Sequence, residues 1–179
     1  MATINKKHGG FTLIELLIIV AVMGILSATF VTMGSLIRDF RVNYISQRLY
    51  SSILLARSEA IKRGENVSLC RSANGSQCNP GDNWSDGWLV FYDDNGNRIV
   101  DGADQLIRVY NQISSDFLLN WNGPAEGFYF NGRGQVDFTN NYMFKLCLLG
   151  INDSAIREIT VYGSYFGDRL KSVLGRGNC

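Results

Sequence analysis

An uncharged stretch near the N-terminus constrains this chain more than any other feature of its sequence. From Leu16 through Ile37 there is no Asp, Glu, Lys or Arg. A helix rises about 1.5 Å per residue, so such a stretch is long enough to cross a bilayer core about 30 Å thick. We therefore predict a transmembrane helix over residues 11–37. Lys6 and Lys7 precede it, which predicts a cytoplasmic N-terminus and a body on the other side.

One acidic residue lies inside this apolar segment. Glu15 is the fifth residue of the segment that begins at Phe11. A carboxylate in hydrocarbon is costly unless it finds a partner. A plain signal anchor would explain the apolar stretch but not the acid. A cleavable secretory signal would have a shorter apolar region followed by a small-residue cleavage site. The acid therefore indicates a role beyond anchoring.

The junction from Gly9 to Leu16, which reads Gly-Gly-Phe-Thr-Leu-Ile-Glu-Leu, resembles the class III leader of type IV pilins and pseudopilins. The resemblance implies that residues 1–10 are a leader, which a prepilin peptidase removes after Gly10, and that the peptidase then methylates the new N-terminal residue, Phe11. It also implies that Glu15 neutralises the N-terminal ammonium of a neighbouring subunit during filament assembly. Opposite charges attract strongly in a low dielectric, and either charge alone would be costly there.

The helix is predicted to continue beyond the apolar segment as an amphipathic stretch over residues 38–64. Its apolar positions are separated by three or four residues, which is helical spacing: Ile45, Leu49, Ile53, Ala56 and Ala60. Gly64 follows Arg63 and is a typical stop signal. One helix from Phe11 to about Arg63 is therefore expected, with the Ile45 to Ala60 stripe packed on the rest of the protein.

Residues 65–179 are predicted to form one β-rich globular domain. Short apolar and aromatic segments alternate with Gly and Asn turns, and no helix-length segment separates them. The predicted strands are Val67–Cys70, Trp88–Tyr92, Leu106–Tyr110, Phe117–Trp121, Phe128–Phe130, Gln135–Phe138, Phe144–Leu149 and Arg157–Tyr162. The expected fold class is α+β, a long N-terminal helix packed on an antiparallel β-rich domain.

Several local sequences resemble the GspH/FimT branch of pseudopilins and minor pilins. They include Ala56 to Gly64, Trp84, Gly87 to Phe91 and Phe130 to Gly134. The resemblance implies the pilin fold and a subunit that helps to start or cap a type IV pilus or a type II secretion pseudopilus. The expected partners are prepilin peptidase, other pilins or pseudopilins, and inner-membrane lipid before assembly. The expected location is the bacterial inner membrane, with the body in the periplasm, and no cofactor is expected.

The four cysteines favour disulfides over zinc, because none of them forms a C-x-x-C pair. Cys70 and Cys78 enclose an Asn-Gly turn and are predicted to close a small loop. Cys147 lies in a predicted strand, and a bond to the last residue, Cys179, would hold the tail. Four cysteines allow three connectivities, so the pairing stays open at this point.

The segment from Asp93 to Asp104 places oxygen-bearing side chains at alternate positions, as calcium loops do. Arg98 stands where an EF-hand needs glycine, and Asp104 replaces the bidentate glutamate. A polar connection rich in Asx turns explains the same residues without a metal. We favour the connection, and no metal site is predicted.

The tail carries Arg169, Lys171 and Arg176 close to aromatic residues, a pattern that can bind a nucleic-acid backbone. Some members of the resembled branch take part in DNA uptake through such a tail, so DNA binding is the alternative function. The whole chain has 17 basic against 16 acidic residues, which does not single out nucleic acid. A solvated tail held by a disulfide is the favoured interpretation.

An enzyme is the remaining class. The only histidine, His8, lies in the leader, which argues against a His-based catalytic site in the body. Asp82, Asp86, Asp93 and Asp101 offer carboxylates for acid–base chemistry, but each lies in turn-like sequence where aspartate serves local hydrogen bonding. The chain is predicted to be non-enzymatic.

Overall fold

A computed structural model describes residues 11–149, 154–163 and 170–177 of the 179-residue chain. The chain divides into two compact units, Met1–Asp39 and Phe40–Cys179. One helix, α1, crosses the boundary between the units, and all described strands belong to the second.

Helix α1 spans Leu13–Arg63, 51 residues in all. The helix predicted from the sequence is confirmed, with its first turn two residues later than expected. Gly64 ends it with a φ of 74°, and its N–H donates to the Ala60 carbonyl at 2.8 Å. Glycine adopts this left-handed conformation at little cost, so the predicted stop signal acts as a C-terminal cap.

The part of α1 in the first unit is apolar, and its described side chains are exposed. Among the described residues, however, no helix is both long and apolar enough to cross a membrane. The transmembrane span over residues 11–37 stays a prediction.

In the second unit, the described residues form eight strands in two antiparallel sheets. They are β1 (Val67–Arg71), β2 (Gly87–Tyr92), β3 (Gln105–Asn111), β4 (Phe117–Trp121), β5 (Phe128–Phe130), β6 (Tyr142–Leu148), β7 (Ser154–Val161) and β8 (Leu170–Gly177). One sheet has the order β3-β2-β1-β5, and the other has the order β4-β6-β7-β8. The expected α+β class with antiparallel strands is confirmed.

The predicted strands differ from the structure at two places. Gln135–Phe138 is not a strand, and only Val136 forms an isolated bridge, to Phe130. The Asn131 side chain accepts the N–H groups of Arg133 and Gln135, which closes a tight turn in place of a ladder. The C-terminal tail, for which the sequence predicts no strand, contributes β8, paired with β7 over eight residue pairs.

The second half of α1 packs on the sheets through the predicted stripe. Ile45, Leu49, Ile53, Ala56 and Ala60 are all buried, as is Val42 one turn earlier. Burying each large apolar side chain contributes about 1.5–3 kcal/mol before entropic costs. The stripe prediction is confirmed.

A buried polar contact joins this stripe to β2. The indole Nε1–H of Trp88 donates to Ser52 Oγ at 3.0 Å, and the Ser52 hydroxyl donates to the Leu49 carbonyl at 2.7 Å. The guanidinium of Arg48 lies 5.1 Å from the centre of the Trp88 ring and donates to the Asn111 carbonyl at 2.7 Å. The indole donor is therefore satisfied within the core.

Aromatic rings fill the space between the strands. Trp121 stacks on Phe144 with ring centres 4.2 Å apart, and Trp84 meets Phe144 edge to face at 4.8 Å. Phe128 stacks on Trp121 at 5.3 Å. Offset and edge-to-face pairs of this kind add to the burial of the rings.

A smaller apolar cluster contains Cys70, Leu89 and Phe91, with Cys78 and Val100 packed against it. The predicted Cys70–Cys78 disulfide is present, and its Cα atoms are 5.5 Å apart. It holds the loop after β1 against this cluster. Cys147 lies in β6 and is disulfide-bonded, but its predicted partner Cys179 is outside the described residues.

Candidate functional site

The start of α1 carries two of the residues predicted to act in processing and assembly. Phe11 precedes the helix and is 76% exposed, while Glu15 lies in the first turn. Thr12 caps the helix: the Glu15 N–H approaches the Thr12 hydroxyl at 3.4 Å and the Thr12 carbonyl at 3.1 Å. A negative charge in a first helical turn also interacts favourably with the helix dipole. Gly10 lies outside the described residues.

An exposed apolar surface surrounds Glu15 along the first unit of α1. The large apolar side chains that share this exposure are Phe11, Leu13, Ile14, Leu16, Leu17, Ile18, Ile19, Val20, Val22, Met23, Ile25, Leu26, Leu36 and Ile37. Soluble monomers rarely expose contiguous apolar patches of more than a few hundred Å², and larger patches mark protein or membrane contacts. Glu15 is therefore a carboxylate placed within a surface suited to burial.

The polar loop after β2 is organised around Asp93, which is fully buried. Its carboxylate accepts the Ser68 hydroxyl at 2.5 Å and the N–H groups of Asn97 and Arg98 at 3.1 and 2.8 Å. Arg98 has a φ of 64°, the left-handed conformation that an EF-hand assigns to glycine. Within the described residues, no group of three or more His, Cys, Asp or Glu residues is arranged to hold a metal.

The other aspartates considered for chemistry also bind local groups. Asp82 accepts the Ala73 N–H at 2.7 Å, Asp86 accepts the Asn83 N–H at 3.1 Å, and Asp101 accepts the Asn97 side-chain amide at 2.7 Å. These contacts hold turns, as the sequence interpretation expected.

Two of the three basic residues predicted in the tail lie in β8. Lys171 is opposite Thr160 and Arg176 is opposite Ala155 in the β7–β8 ladder, and Arg169 lies outside the described residues. The tail is thus partly strand, and no finding supports the DNA-binding alternative.

Two tertiary contacts were not predicted from the sequence. The first joins the end of α1 to β2: the Tyr92 hydroxyl donates to Glu59 Oε2 at 2.5 Å, and the Arg63 guanidinium lies 3.6 Å from the centre of the Tyr92 ring. The Tyr92 hydrogen bond holds the pKa of the Glu59 carboxyl below its usual value. Burial, aided by Glu59, raises the pKa of the Tyr92 hydroxyl.

The second contact is a salt bridge between the loop after β2 and the turn after β5. Arg98 Nε and Nη2 each lie 2.8 Å from Asp137 Oδ2, and the Tyr129 N–H donates to Asp137 Oδ1 at 3.2 Å. Burial raises the pKa of the Asp137 carboxyl, although the Arg98 charge opposes that change. Arg98 and Asp137 are 39 residues apart in sequence, and no local motif signals their pairing.

Comparison with known families finds two matches along the chain. The family of the type II transport protein GspH matches residues 46–164, more than half of the chain. The prokaryotic N-terminal methylation motif matches residues 5–31, which include Gly10, Phe11 and Glu15. No curated protein sequence matches significantly.

Solved structures with the same fold include two bacterial proteins. The type IV minor pilin FimU of Pseudomonas aeruginosa is 15% identical, with a TM-score of 0.53 over 73% of this chain and 86% of that one. The minor pseudopilin EpsH of the Vibrio cholerae type 2 secretion system is 12% identical, with a TM-score of 0.51 over 74% of this chain and 96% of that one. The match to the GspH family over more than half of the chain shows that this chain belongs to that family, and its fold is that of the minor pilin FimU and the minor pseudopilin EpsH.

Proposed function

We propose that the chain is a non-enzymatic filament subunit that is cleaved after Gly10, methylated at Phe11 and assembled through the first half of α1. Its role is to help start or cap a type IV pilus or a type II secretion pseudopilus. The observation that carries the proposal is Glu15, an acid in the first helical turn within an exposed apolar surface.

The apolar surface supplies the driving force for assembly. Burying one Leu, Ile, Val, Met or Phe side chain is worth about 1.5–3 kcal/mol, and fourteen of the described side chains between Phe11 and Ile37 are exposed and of these types. Neighbouring pilin helices would bury them in the filament. Before assembly, inner-membrane lipid would cover the same surface, with the body in the periplasm.

Glu15 would then act as the electrostatic guide of assembly. Cleavage after Gly10 frees the amino group of Phe11, and an ammonium from one subunit would meet the Glu15 carboxylate of its neighbour. Each charge alone is costly among apolar helices, whereas the pair offsets much of that cost. Cleavage must therefore precede assembly, because only a cleaved subunit has an N-terminal ammonium next to its helix.

The first experiment tests cleavage. Gly10→Val, expressed with prepilin peptidase, should keep its N-terminus at Met1, because the larger side chain blocks the cut that the family motif predicts. Ala2→Val in the same leader is the matched control and should be processed normally. Mass spectrometry of the N-terminal peptide gives the result, and normal processing of Gly10→Val contradicts the proposal.

The second experiment tests charge pairing. Glu15→Val should be cleaved much as the unmodified chain is, yet enter filaments poorly, because the partner ammonium is left without its counter-charge. Glu15→Asp is the matched control, because it keeps the carboxylate, and it should enter filaments better than Glu15→Val. The amount of each variant in sheared or purified filaments is measured, and unchanged incorporation of Glu15→Val excludes the pairing mechanism.

A further inference from the structure

Strand β3 leaves one edge of its sheet open. In the sheet order β3-β2-β1-β5, the only described strand that pairs with β3 is β2. Five of its seven residues are exposed, including Leu106 at 43% and Val109 at 39%. An open, exposed edge presents backbone N–H and C=O groups that an added strand can pair with.

A cavity lies near each end of β3. The first, of about 300 Å³, is at Gln105, and Glu65 and Asp94 are among its lining residues. The second, of about 350 Å³, is at Tyr110 to Gln112 and is lined in part by Asp86, whose carboxylate also accepts the Asn83 N–H. Both are large enough for a side chain, and pockets beside a strand edge confer specificity in strand addition.

The charges along the edge alternate in sign. Arg63 also lines the first cavity, but its guanidinium lies on the face of the Tyr92 ring. Among the described residues, no hydrogen bond or ion pair engages the side chains of Glu65 and Asp94. Between the cavities, β3 itself carries one charge, the exposed Arg108. The side chains along β3 therefore carry negative, positive and negative charge in turn: Glu65 with Asp94 at one end, Arg108 at the centre and Asp86 at the other end. This pattern extends over about 20 Å, the length of six extended residues.

Self-pairing does not fit this pattern. Arg108 lies near the middle of Gln105–Asn111, so two copies joined edge to edge in antiparallel register would place their Arg108 side chains close together. Like charges directly opposite each other destabilise a strand pair. The register between β2 and β3 shifts between Val90 and Phe91, which marks a bulge in the ladder. Such a bulge disfavours non-specific pairing of the β3 edge with other strands.

We propose that the open edge of β3 binds an extended segment of a neighbouring filament subunit that carries a basic side chain at each end and an acidic one at its centre. The basic side chains enter the cavities of Glu65 with Asp94 and of Asp86, and the acid meets Arg108. That the partner is a filament subunit depends on the proposed function. The strand-binding chemistry does not depend on it.

The test uses the full chain in detergent with a capped peptide, Lys-Val-Thr-Glu-Thr-Val-Lys, whose charges read the same in either strand direction. Hydrogen exchange measured by mass spectrometry should slow over residues 105–111 when the peptide is present at millimolar concentration. The charge-swapped peptide, Glu-Val-Thr-Lys-Thr-Val-Glu, is the matched control and should bind roughly tenfold more weakly, since each cross-strand charge pair contributes modestly.

Variants of the edge sharpen the result. Arg108→Glu should remove the preference for the first peptide, and Glu65→Gln with Asp94→Asn should weaken its protection of β3. Equal protection by the two peptides, or no protection by either, overturns the proposal, as does an unchanged preference in Arg108→Glu. Cleavage after Gly10 and incorporation through Glu15 do not involve β3, so those assays succeed or fail separately from this one.

Discussion

The two halves of α1 have similar backbones and opposite surroundings. From Val42 to Ala60, one stripe of the helix is buried against the sheets and the other faces are exposed. From Leu13 to Leu26, every described side chain is exposed although most are apolar. The second half is therefore stabilised by contacts within the chain, whereas the described side chains of the first half form an exposed surface that other molecules can bury. A segment of this chain can thus form a helix without being buried by the rest of the chain.

The largest expected difference between the halves comes from truncating a leucine in each. Leu49→Ala, at a side chain that is 1% exposed, should lower the free energy of unfolding by about 3 kcal/mol, because it leaves a cavity in the core. Leu17→Ala, at a side chain that is 60% exposed, should change it by less than about 0.5 kcal/mol. Urea unfolding followed by tryptophan fluorescence measures the free energy of unfolding of both variants. Equal losses in the two variants would contradict the difference between the two halves of the helix.

A smaller effect is expected from the Cys70–Cys78 disulfide, which lies in a cluster separate from the helix stripe. Cys70→Ser combined with Cys78→Ser should cost about 2.5 kcal/mol, the entropy gained by the unfolded chain when a bond across eight residues is lost. Ser76→Ala, in the same loop, is the matched control and should cost far less. Incorporation through the first half of α1 should survive as long as the body stays folded. Unchanged unfolding of the double variant contradicts the expectation.

The smallest effect concerns the last turns of α1 and depends on pH. Because the folded protein lowers the pKa of Glu59 from 4.5, this group contributes stability above that pH, and the contribution is lost as the pH falls through the folded pKa. Tyr92→Phe removes the hydroxyl donor, so the loss of stability between pH 7 and pH 3 should shrink. Tyr44→Phe, at an exposed side chain, is the control. Urea midpoints at the two pH values provide the measurement, and identical pH dependence in Tyr92→Phe and the unmodified chain argues against the contact.

Local patterns predicted the elements that depend on local physics. The charge-free stretch and the Ile45 to Ala60 periodicity predicted α1, and alternating apolar segments predicted β1 to β7 within a few residues. The tail that forms β8 contains Gly175 and Gly177 and has little strand propensity of its own. It becomes a strand because it pairs with β7. This pairing depends on the tertiary fold, so the local sequence does not predict it.

The candidate site was predicted unevenly for the same reason. Phe11 and Glu15 stand in a short motif, so the sequence alone was enough to predict them as site residues, and their roles stay predictions. Glu59 with Tyr92 and Arg98 with Asp137 are 33 and 39 residues apart, and their pairing depends on how the sheets bring distant segments together. The edge of β3 likewise becomes visible only when the strand order is known.

The hydrogen bond between Trp88 and Ser52 has a mechanical consequence. Sliding the helix along the sheet by one turn, about 5.4 Å, would carry the serine oxygen away and leave the indole donor buried without an acceptor. Purely apolar contacts could exchange neighbours during such a slip, but this pair cannot. Tension applied along the helix axis would therefore pass to the body at β2, and the two would move together under load.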